Sequence, residues 1–367
     1  MLGEQAATTG CCWSRLLPLR SRSYDPRVTK ASELAPALDE LLAASDFSGA
    51  VRIDDGAGRT VAAVRGMADR AAGLPNTLET RFAVASATKG VTALVIVSLV
   101  VDGMLTLETT ARSLLGTDLP LIDDTVTVRH LLAHRSGIGD YLDEDAMESI
   151  ADYVMPVPVH QLDSAEAYLA VLDGHPQAFP PGQRFAYNNG AFVVLALLAE
   201  RAAGGASYAE LVQERVTEPS RMTATGFVRT DEVPSGVATG YLDVTGLRTN
   251  VLHLPVLGVG DGGLTTTVAD VRRLWEALSA GSIVPSEWVA RMTTPSGDFR
   301  TGEQRYGLGF WLAPAGDAVQ LEGHDAGISF RSVYHPATGG SWTVVSNTSD
   351  GAWPVARGLT ELLPYPP

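Results

Sequence analysis

The sequence predicts an α/β fold of the α+β type, in which helices flank an antiparallel sheet and a large, mostly helical insert interrupts it. Strand-like runs occur near both ends of the chain, whereas helical segments and Pro/Gly loops dominate residues 104–254. The 367 residues are 45% hydrophobic and 19% charged, which is typical of a globular protein with a full core. We therefore expect strands from both chain ends to form one sheet.

These patterns divide the chain into three parts. Residues 1–28 have scattered arginines and no apolar segment long enough for a signal peptide, so we expect a disordered N-terminal tail. Residues 29–103 and 255–367 are predicted to form the sheet domain, and residues 104–254 the helical domain. The insert differs from the flanking, strand-rich segments because Pro/Gly loops and helical segments dominate it.

The first elements follow from periodicity and turn residues. Residues 32–45 have the apolar spacing of an amphipathic helix. Two strand-like runs, Gly49–Ile53 and Thr60–Arg65, are joined through Asp54-Asp55-Gly56, which predicts a hairpin turn. The apolar run from Thr88 to Asp102 predicts a helix that is buried on most sides.

Helix start signals occur in the insert and after it. Thr127 can cap a helix, and Ser207 with Glu210 forms a capping box. Thr267 with Asp270 gives the same kind of start for a helix that continues through Leu278. The helices predicted in the insert by spacing are Val128–His134, Ser164–Leu172 and Ala191–Ala203.

The C-terminal region returns to strands. We predict strands at Val319–Glu322, Ser329–His335 and Ser341–Asn347. A helix is predicted at Trp353–Leu363. This helix and the one at residues 32–45 are expected to pack on the same face of the sheet.

Charge and cysteine content restrict the classes of partner. The net charge is −15, whereas nucleic-acid binding needs clustered cations, so we expect no nucleic-acid partner and no anionic membrane surface. No run reaches the ~18 apolar residues of a membrane helix. Cys11 and Cys12 are the only cysteines, so the body of the chain has no disulfide framework or thiolate metal site. We expect a cytoplasmic protein and leave its oligomeric state open.

One lysine has an unusual setting. Two of the 27 basic residues are lysines, and Lys89 lies three residues after Ser86. Arginine cannot release its proton in a protein, whereas a desolvated lysine can. A serine hydroxyl is a weak nucleophile until a nearby base takes its proton. Since positions i and i+3 share a helix face, the pair predicts an activated serine nucleophile.

Two further segments carry side chains suited to the same chemistry. Tyr187 and Asn189 precede the helix predicted from Ala191, and Asn is also a favoured helix N-cap. Near the C-terminus, a strand ends in His324-Asp325-Ala326-Gly327. A tyrosine, an asparagine and a histidine can hold protons or bind a substrate at a serine nucleophile.

In order and spacing, these motifs resemble those of the serine β-lactamase and penicillin-binding-protein superfamily. The resemblance is greatest to its class C-like branch, which also includes DD-peptidases, family VIII-type carboxylesterases and D-amino-acid amidases. The matches are Ser86/Lys89 with S-x-x-K, Tyr187/Asn189 with Y-x-N and His324 with K/H-x-G. The stretches 131–138 and 261–270 resemble the family as well, and the resemblance covers about residues 47 to 350.

The resemblance implies a role for each residue. Ser86 would attack a carbonyl and form an acyl-enzyme, with Lys89 and Tyr187 sharing its proton. The backbone amides of Ser86 and Gly327 would bind the oxyanion, and Asn189 would hold the Ser86–Lys89 pair and a substrate carbonyl. Tyrosine titrates near 10, so as the base Tyr187 would need positive charge beside it. Which of Lys89 and Tyr187 is the working base is left open, and the active site is expected in the cleft between the two domains.

The strand motif also indicates the substrate class. His324, Asp325, Ala326 and Gly327 are expected to bind substrate. Ala326 replaces the usual glycine, so its methyl group is expected to narrow the groove against bicyclic β-lactams, and Asp325 to disfavour a substrate carboxylate. We expect a serine hydrolase, an esterase or amidase, whose partner is a small-molecule ester, amide or lactam. The alternatives are a β-lactamase or D-alanyl-D-alanine carboxypeptidase and, from another class, a non-catalytic sensor that binds β-lactams or peptides.

Other motifs indicate no cofactor and no metal. His130 and His134 have i, i+4 spacing but lack the glutamate of H-E-x-x-H and an evident third ligand. Gly258, Gly260 and Gly263 give G-x-G-x-x-G, but helical sequence follows where a dinucleotide fold needs an acidic residue at a strand end. We interpret these glycines as a loop that crosses near the site. The chain has no G-x-S-x-G motif, which disfavours an α/β-hydrolase.

Overall fold

A computed structural model describes residues 31–363, except residues 143, 145, 146 and 301. The tail predicted at residues 1–28 lies outside the described residues. The strands are β1 (Gly49–Asp54), β2 (Thr60–Arg65), β3 (Met67–Asp69), β4 (Leu74–Pro75), β5 (Phe82–Ala83), β6 (Gly226–Phe227), β7 (Leu264–Thr266), β8 (Arg305–Tyr306), β9 (Trp311–Leu312), β10 (Val319–Asp325), β11 (Ile328–His335) and β12 (Gly340–Ser346). The helices are α1 (Ala31–Ala43), α2 (Thr88–Val101), α3 (Ala111–Leu115), α4 (Val128–Leu132), α5 (Leu169–Leu172), α6 (Asn189–Ala202), α7 (Tyr208–Val212), α8 (Val268–Ser279), α9 (Ser286–Met292) and α10 (Ala352–Leu362).

The main sheet joins the two ends of the chain. Its strand order is β2-β1-β12-β11-β10-β9-β8, and all of its pairs are antiparallel. The N-terminal strand β1 pairs with β12, so that Gly49 lies opposite Ser346. The prediction of one antiparallel sheet built from both chain ends is confirmed.

Helices cover both faces of this sheet. On one face, Leu38 of α1 and Leu359 of α10 belong to one buried apolar cluster with Trp342 of β12, which confirms the predicted packing of the terminal helices. On the other face, Trp275 of α8 stacks on Tyr334 of β11, with ring centroids 5.5 Å apart. A sheet that is buried on both sides is a rigid support for a site at its edge.

The insert and the sheet share a larger apolar cluster. It contains the buried faces of α2 and α6 and also Phe330 and Val345 of the sheet. Both helices are apolar almost all round, as expected for core helices. The division at residues 103 and 254 stays a prediction, although helices do dominate the first part of the insert.

Several elements differ from their predicted form. The helix predicted at Val128–His134 ends at Leu132, because His134 has a φ of +52° and cannot continue a right-handed helix. The helix predicted at Ser164–Leu172 is a 3-10 turn, Glu166–Tyr168, followed by the single turn of α5. Along the described part of the chain, no helix combines the length and the apolar character that crossing a membrane requires.

Candidate active site

Ser86 lies in a strained turn between β5 and α2. The 3-10 turn Ala85–Ala87 leads directly into α2, and Ala85 has a φ of +45°, a conformation that costs energy for a residue with a side chain. Ser86 is partly exposed and lines a cavity of about 390 Å³. The buried helix behind it fixes the hydroxyl at the wall of this cavity.

Lys89 directs its amine at the Ser86 hydroxyl, as its spacing predicts. The side chain is buried, and its Nζ lies 2.8 Å from Ser86 Oγ. Two further acceptors surround Nζ: Asn189 Oδ1 at 2.8 Å and the backbone carbonyl of Asp261 at 2.9 Å. A neutral amine has two N–H groups and one lone pair. If the two fixed oxygens accept the N–H groups, the lone pair is directed at Ser86.

Burial and charge act on Lys89 in opposite directions. Burial, the largest influence, lowers the pKa of Lys89, since an ammonium ion loses its hydration. Nearby carboxylates oppose this effect, with Asp261 and Glu144 the strongest. The net result is a pKa below the usual range, so this amine releases its proton more readily than an exposed lysine does.

Tyr187 closes the site from a distant part of the chain. Its ring lies 5.0 Å from Lys89 Nζ, and it stacks on Trp311 and packs against His134. Burial raises the pKa of the Tyr187 phenol well above its usual value, whereas a hydrogen bond with Ser86 acts in the opposite direction. The phenol is therefore protonated at neutral pH, so it is poorly suited to be the initial base.

Asn189 is the first residue of α6, and its neighbour caps the helix. Asn188 Oδ1 accepts the backbone N–H of Ala191 at 2.6 Å, so the N-cap is Asn188. Asn189 instead directs Oδ1 toward Lys89 and donates Nδ2 to Glu144 Oε1 at 2.9 Å. Its expected contact with a substrate carbonyl stays a prediction, because the side-chain NH2 group already donates to Glu144.

The C-terminal strand brings His324 and Asp325 to the cavity. Both residues line it, and Gly323 packs tightly against the backbone of Val84 beside the Ser86 turn. Burial raises the pKa of Asp325 to about 7. Burial lowers the pKa of His324, with Asp350 acting against the shift, so His324 is neutral at pH 7 and supplies no positive charge to Tyr187.

Ala326 and Gly327 depart from their predicted roles. The register of β10 and β11 pairs Asp325 with Ile328, which places these two residues in the connecting turn. Ala326 is fully buried and is not among the residues that line the cavity, so its methyl group does not narrow it. Gly327 does line the cavity, but its N–H donates to Ser349 Oγ at 2.8 Å instead of facing an oxyanion position.

The glycine-rich segment is a loop at the site, as we interpreted it. Gly258 and Gly263 lie against each other, and a Cβ on Gly260 would come within 2.1 Å of the carbonyl of Phe192. This close packing presents the Asp261 carbonyl to Lys89. The Asp261 carboxylate accepts a hydrogen bond from the hydroxyl of Tyr141.

Both histidines of the i, i+4 pair have structural hydrogen bonds. His130 completes the capping box of α4 with Thr127. His134 Nδ1 accepts the backbone N–H of Asn188 at 3.1 Å, and burial lowers the pKa of this histidine well below its usual value. The His130 contact supports the start of α4, and the His134 contact supports the segment between Tyr187 and α6.

Sequence reasoning missed the acidic residues of the site. Asp140 and Glu144 follow the stretch that resembles the family, and Asp261 lies within a second such stretch. Composition and spacing gave no signal that these two segments converge on Lys89. Only the position of Asp261 among closely spaced glycines indicated a loop near the site.

The family model for β-lactamases matches residues 34–363. The chain belongs to the β-lactamase family. Among related proteins, the esterase EstB of Burkholderia gladioli is 34% identical over 221 residues, which are 58% of this chain and 55% of EstB. The teichoic acid D-alanine hydrolase of Staphylococcus aureus is 27% identical over 259 residues, which are 69% of this chain and 57% of that protein.

Two solved structures are similar to this chain in fold. The penicillin-binding protein of Bacillus halodurans is 32% identical, with a TM-score of 0.83, and the match covers 89% of this β-lactamase-family chain and all of that one. The D-amino acid amidase of Ochrobactrum anthropi, at 22% identity and a TM-score of 0.73, is similar in fold. The chain spans little more than half the length of EstB and of the D-alanine hydrolase.

Proposed function

We propose that this protein is a serine hydrolase that cleaves small esters and amides through an acyl-enzyme on Ser86. The observation that carries the proposal is the contact of 2.8 Å between a buried amine of lowered pKa and the hydroxyl of Ser86. Two relatives, an esterase and a teichoic acid D-alanine hydrolase, support a hydrolytic activity, and the esterase supports esters as substrates.

The acylation step follows from the geometry of Lys89. As Ser86 Oγ bonds to the substrate carbonyl carbon, its proton passes to the Lys89 amine, whose other two N–H groups stay on Asn189 and Asp261. The carbonyl π electrons move onto the oxygen and form an oxyanion. When the oxyanion collapses, the bond to the leaving group breaks, and an acyl group remains on Ser86.

Tyr187 is suited to deliver the proton to the leaving group. Its raised pKa keeps the phenol protonated, and it is hydrogen-bonded to Ser86, next to the bond that breaks. The phenolate that remains is stabilised by the Lys89 ammonium, whose Nζ lies 5.0 Å from the ring centroid, and it can take a proton from the incoming water. Water then attacks the acyl group in the reverse sequence of proton transfers and releases the acid.

The charge of the cavity wall favours substrates without a carboxylate. Its lining includes the carboxyl groups of Glu144, Asp261 and Asp325, of which Asp325, with a pKa of about 7, is partly ionised at neutral pH. The arginine on the wall, Arg229, forms an ion pair with Asp231. The negative charge of the wall, and not Ala326, is the reason to prefer simple esters and amides as substrates. β-Lactams and D-Ala-D-Ala peptides carry a carboxylate, which this charge disfavours.

Steady-state rates on three substrates test the proposal: p-nitrophenyl butyrate, nitrocefin and a D-Ala-D-Ala peptide. We expect ester hydrolysis to be fastest and to be abolished by Ser86→Ala. Faster turnover of nitrocefin would favour the β-lactamase alternative. A stable adduct on Ser86 with no product release would favour the binding sensor instead.

A further inference from the structure

Asn189 is held by two carboxylates from the segment after α4. Its backbone N–H donates to Asp140 Oδ2 at 2.6 Å, and its side-chain Nδ2 donates to Glu144 Oε1 at 2.9 Å. Its Oδ1 accepts from Lys89 Nζ at 2.8 Å. The two ends of the amide therefore contact groups of opposite kind, a carboxylate and an amine.

The orientation of this amide decides whether Lys89 has its acceptor. A side-chain amide turned by a half rotation keeps its shape and exchanges its donor for its acceptor. A turned Asn189 would direct its NH2 group at Lys89 and would bring its oxygen against the Glu144 carboxylate, where two acceptors meet. Because an ionised carboxylate only accepts hydrogen bonds, Glu144 disfavours this orientation.

We propose that Glu144 is a positioning residue that keeps Asn189 Oδ1 on Lys89 and thereby directs the Lys89 amine at Ser86. The proposal rests on the proposed function, since it concerns how the serine is activated. Glu144 lines the cavity, but the oxygen Oε1 that acts here is engaged by Asn189. Its effect on the reaction is transmitted through two hydrogen bonds.

Glu144 also contributes charge to the surroundings of Lys89. The groups that face this amine come from several elements: Asp140 and Glu144 after α4, Asp261 from the glycine-rich loop, Asp325 from β10, His134 after α4 and Tyr187 before α6. Burial lowers the pKa of Lys89, and Glu144 is among the carboxylates that raise it. Burial raises the pKa of Tyr187, and Glu144 adds to that increase. Loss of the Glu144 charge therefore moves both titrations to lower pH.

Two variants separate the hydrogen bond from the charge. Glu144→Gln keeps an oxygen that can accept from Asn189 and removes the charge, whereas Glu144→Leu removes both at similar size. Glu148→Gln is the matched control, because Glu148 is an exposed carboxylate four residues further along the chain. All three proteins are compared with the unmodified chain.

The measurement is the rate at which a fluorophosphonate labels Ser86, followed by intact-mass spectrometry across pH. In this reaction Ser86 Oγ bonds to phosphorus, the P–F bond breaks, fluoride leaves, and the serine proton passes to the base. We expect Glu144→Leu to slow labelling about tenfold or more, the effect of one unpaired buried group. We expect Glu144→Gln to keep most of the labelling rate at its optimal pH. The pH dependence of its labelling rate is expected to shift to lower pH by about half a unit to one unit.

Each other outcome contradicts the proposal. If Glu144→Gln slows labelling as much as Glu144→Leu does, or if Glu144→Leu labels as fast as Glu148→Gln, Glu144 does not position the amine through Asn189. A pH profile of Glu144→Gln that coincides with that of Glu148→Gln would contradict the contribution of the Glu144 charge. If Glu144→Gln lowers the rates of substrates that carry an ammonium group and leaves the other rates unchanged, Glu144 contacts the substrate instead of positioning Asn189. Failure of the proposed function is distinct, because an unmodified chain that labels but does not hydrolyse esters still reports on Glu144.

Discussion

At the scale of the residue, one buried amine has three neighbours and can exist in two protonation states. Asn189 Oδ1 and the Asp261 carbonyl occupy two positions around Lys89 Nζ, and Ser86 Oγ occupies the third. In the proposed reaction, a neutral Lys89 amine would accept the serine proton without moving, and the ammonium would keep all three contacts. Such an arrangement needs little reorganisation during the reaction.

Lys89→Arg is expected to lower ester hydrolysis by about 10²- to 10⁴-fold, the range of a lost general base. The guanidinium stays protonated at working pH, so it cannot take the Ser86 proton. Because Lys89 is buried and arginine is larger, Lys89→Met provides a second variant without a clash of size. Thermal unfolding of each variant shows whether it is folded. If a folded Lys89→Arg protein kept most of the hydrolysis rate of the unmodified chain, Lys89 would not exchange protons.

Asp325→Asn is expected to stabilise the protein more at pH 8 than at pH 5. Burial raises the pKa of Asp325 from 3.8 to about 7, so the folded state binds a proton that the unfolded state has lost between these values. The contribution of this carboxyl to stability is present below pH 3.8 and is lost as the pH rises through about 7. Melting temperatures at the two pH values provide the check, and an equal change at both would contradict the shift.

At the scale of the element, capping residues in the sequence predicted the helix starts, because these depend on hydrogen bonds between residues close together in the chain. Thr267 accepts the N–H of Asp270 at the start of α8, and Ser207 forms its capping box with Glu210. The two-residue strands β8 and β9 were not predicted, because they depend on pairing, β9 with β10 and β8 with β9, instead of on their own pattern. The carboxylates around Lys89 were missed for a similar reason, since only tertiary structure brings Asp140 to α6.

Gly323→Ala is expected to lower both ester hydrolysis and melting temperature. A Cβ at this position would lie 1.9 Å from the carbonyl oxygen of Val84, so β10 must move away from the turn that carries Ser86. A displacement of about 1 Å at a reacting group can cost about 100-fold in rate. Gly226→Ala is the control, because nothing lies within 4 Å of its added Cβ. Equal rates in the two variants would contradict the importance of this contact.

At the scale of the whole molecule, the candidate site brings together three distant parts of the chain. Ser86 and Lys89 precede the insert, Tyr187 and Asn189 belong to it, and His324 follows it on β10. One apolar cluster extends through α2, α6 and strands of the main sheet. The resemblance of the motifs predicted that these distant segments come together. Composition and pattern alone predicted only which segments are helices and which are strands.

This shared cluster predicts that the two predicted domains unfold together. Neither the insert nor the sheet can lose its packing without exposing apolar surface of the other. We expect differential scanning calorimetry to give one transition whose calorimetric and van't Hoff enthalpies agree. Two separated transitions would show that residues 104–254 form an independent unit.

Mass spectrometry of the quenched reaction shows whether Ser86 carries the acyl group. During hydrolysis of p-nitrophenyl butyrate, we expect a butyryl adduct on the peptide that contains Ser86, and neither adduct nor turnover in Ser86→Ala. If Ser86→Ala released p-nitrophenol at the rate of the unmodified chain, the activated serine would not be the nucleophile.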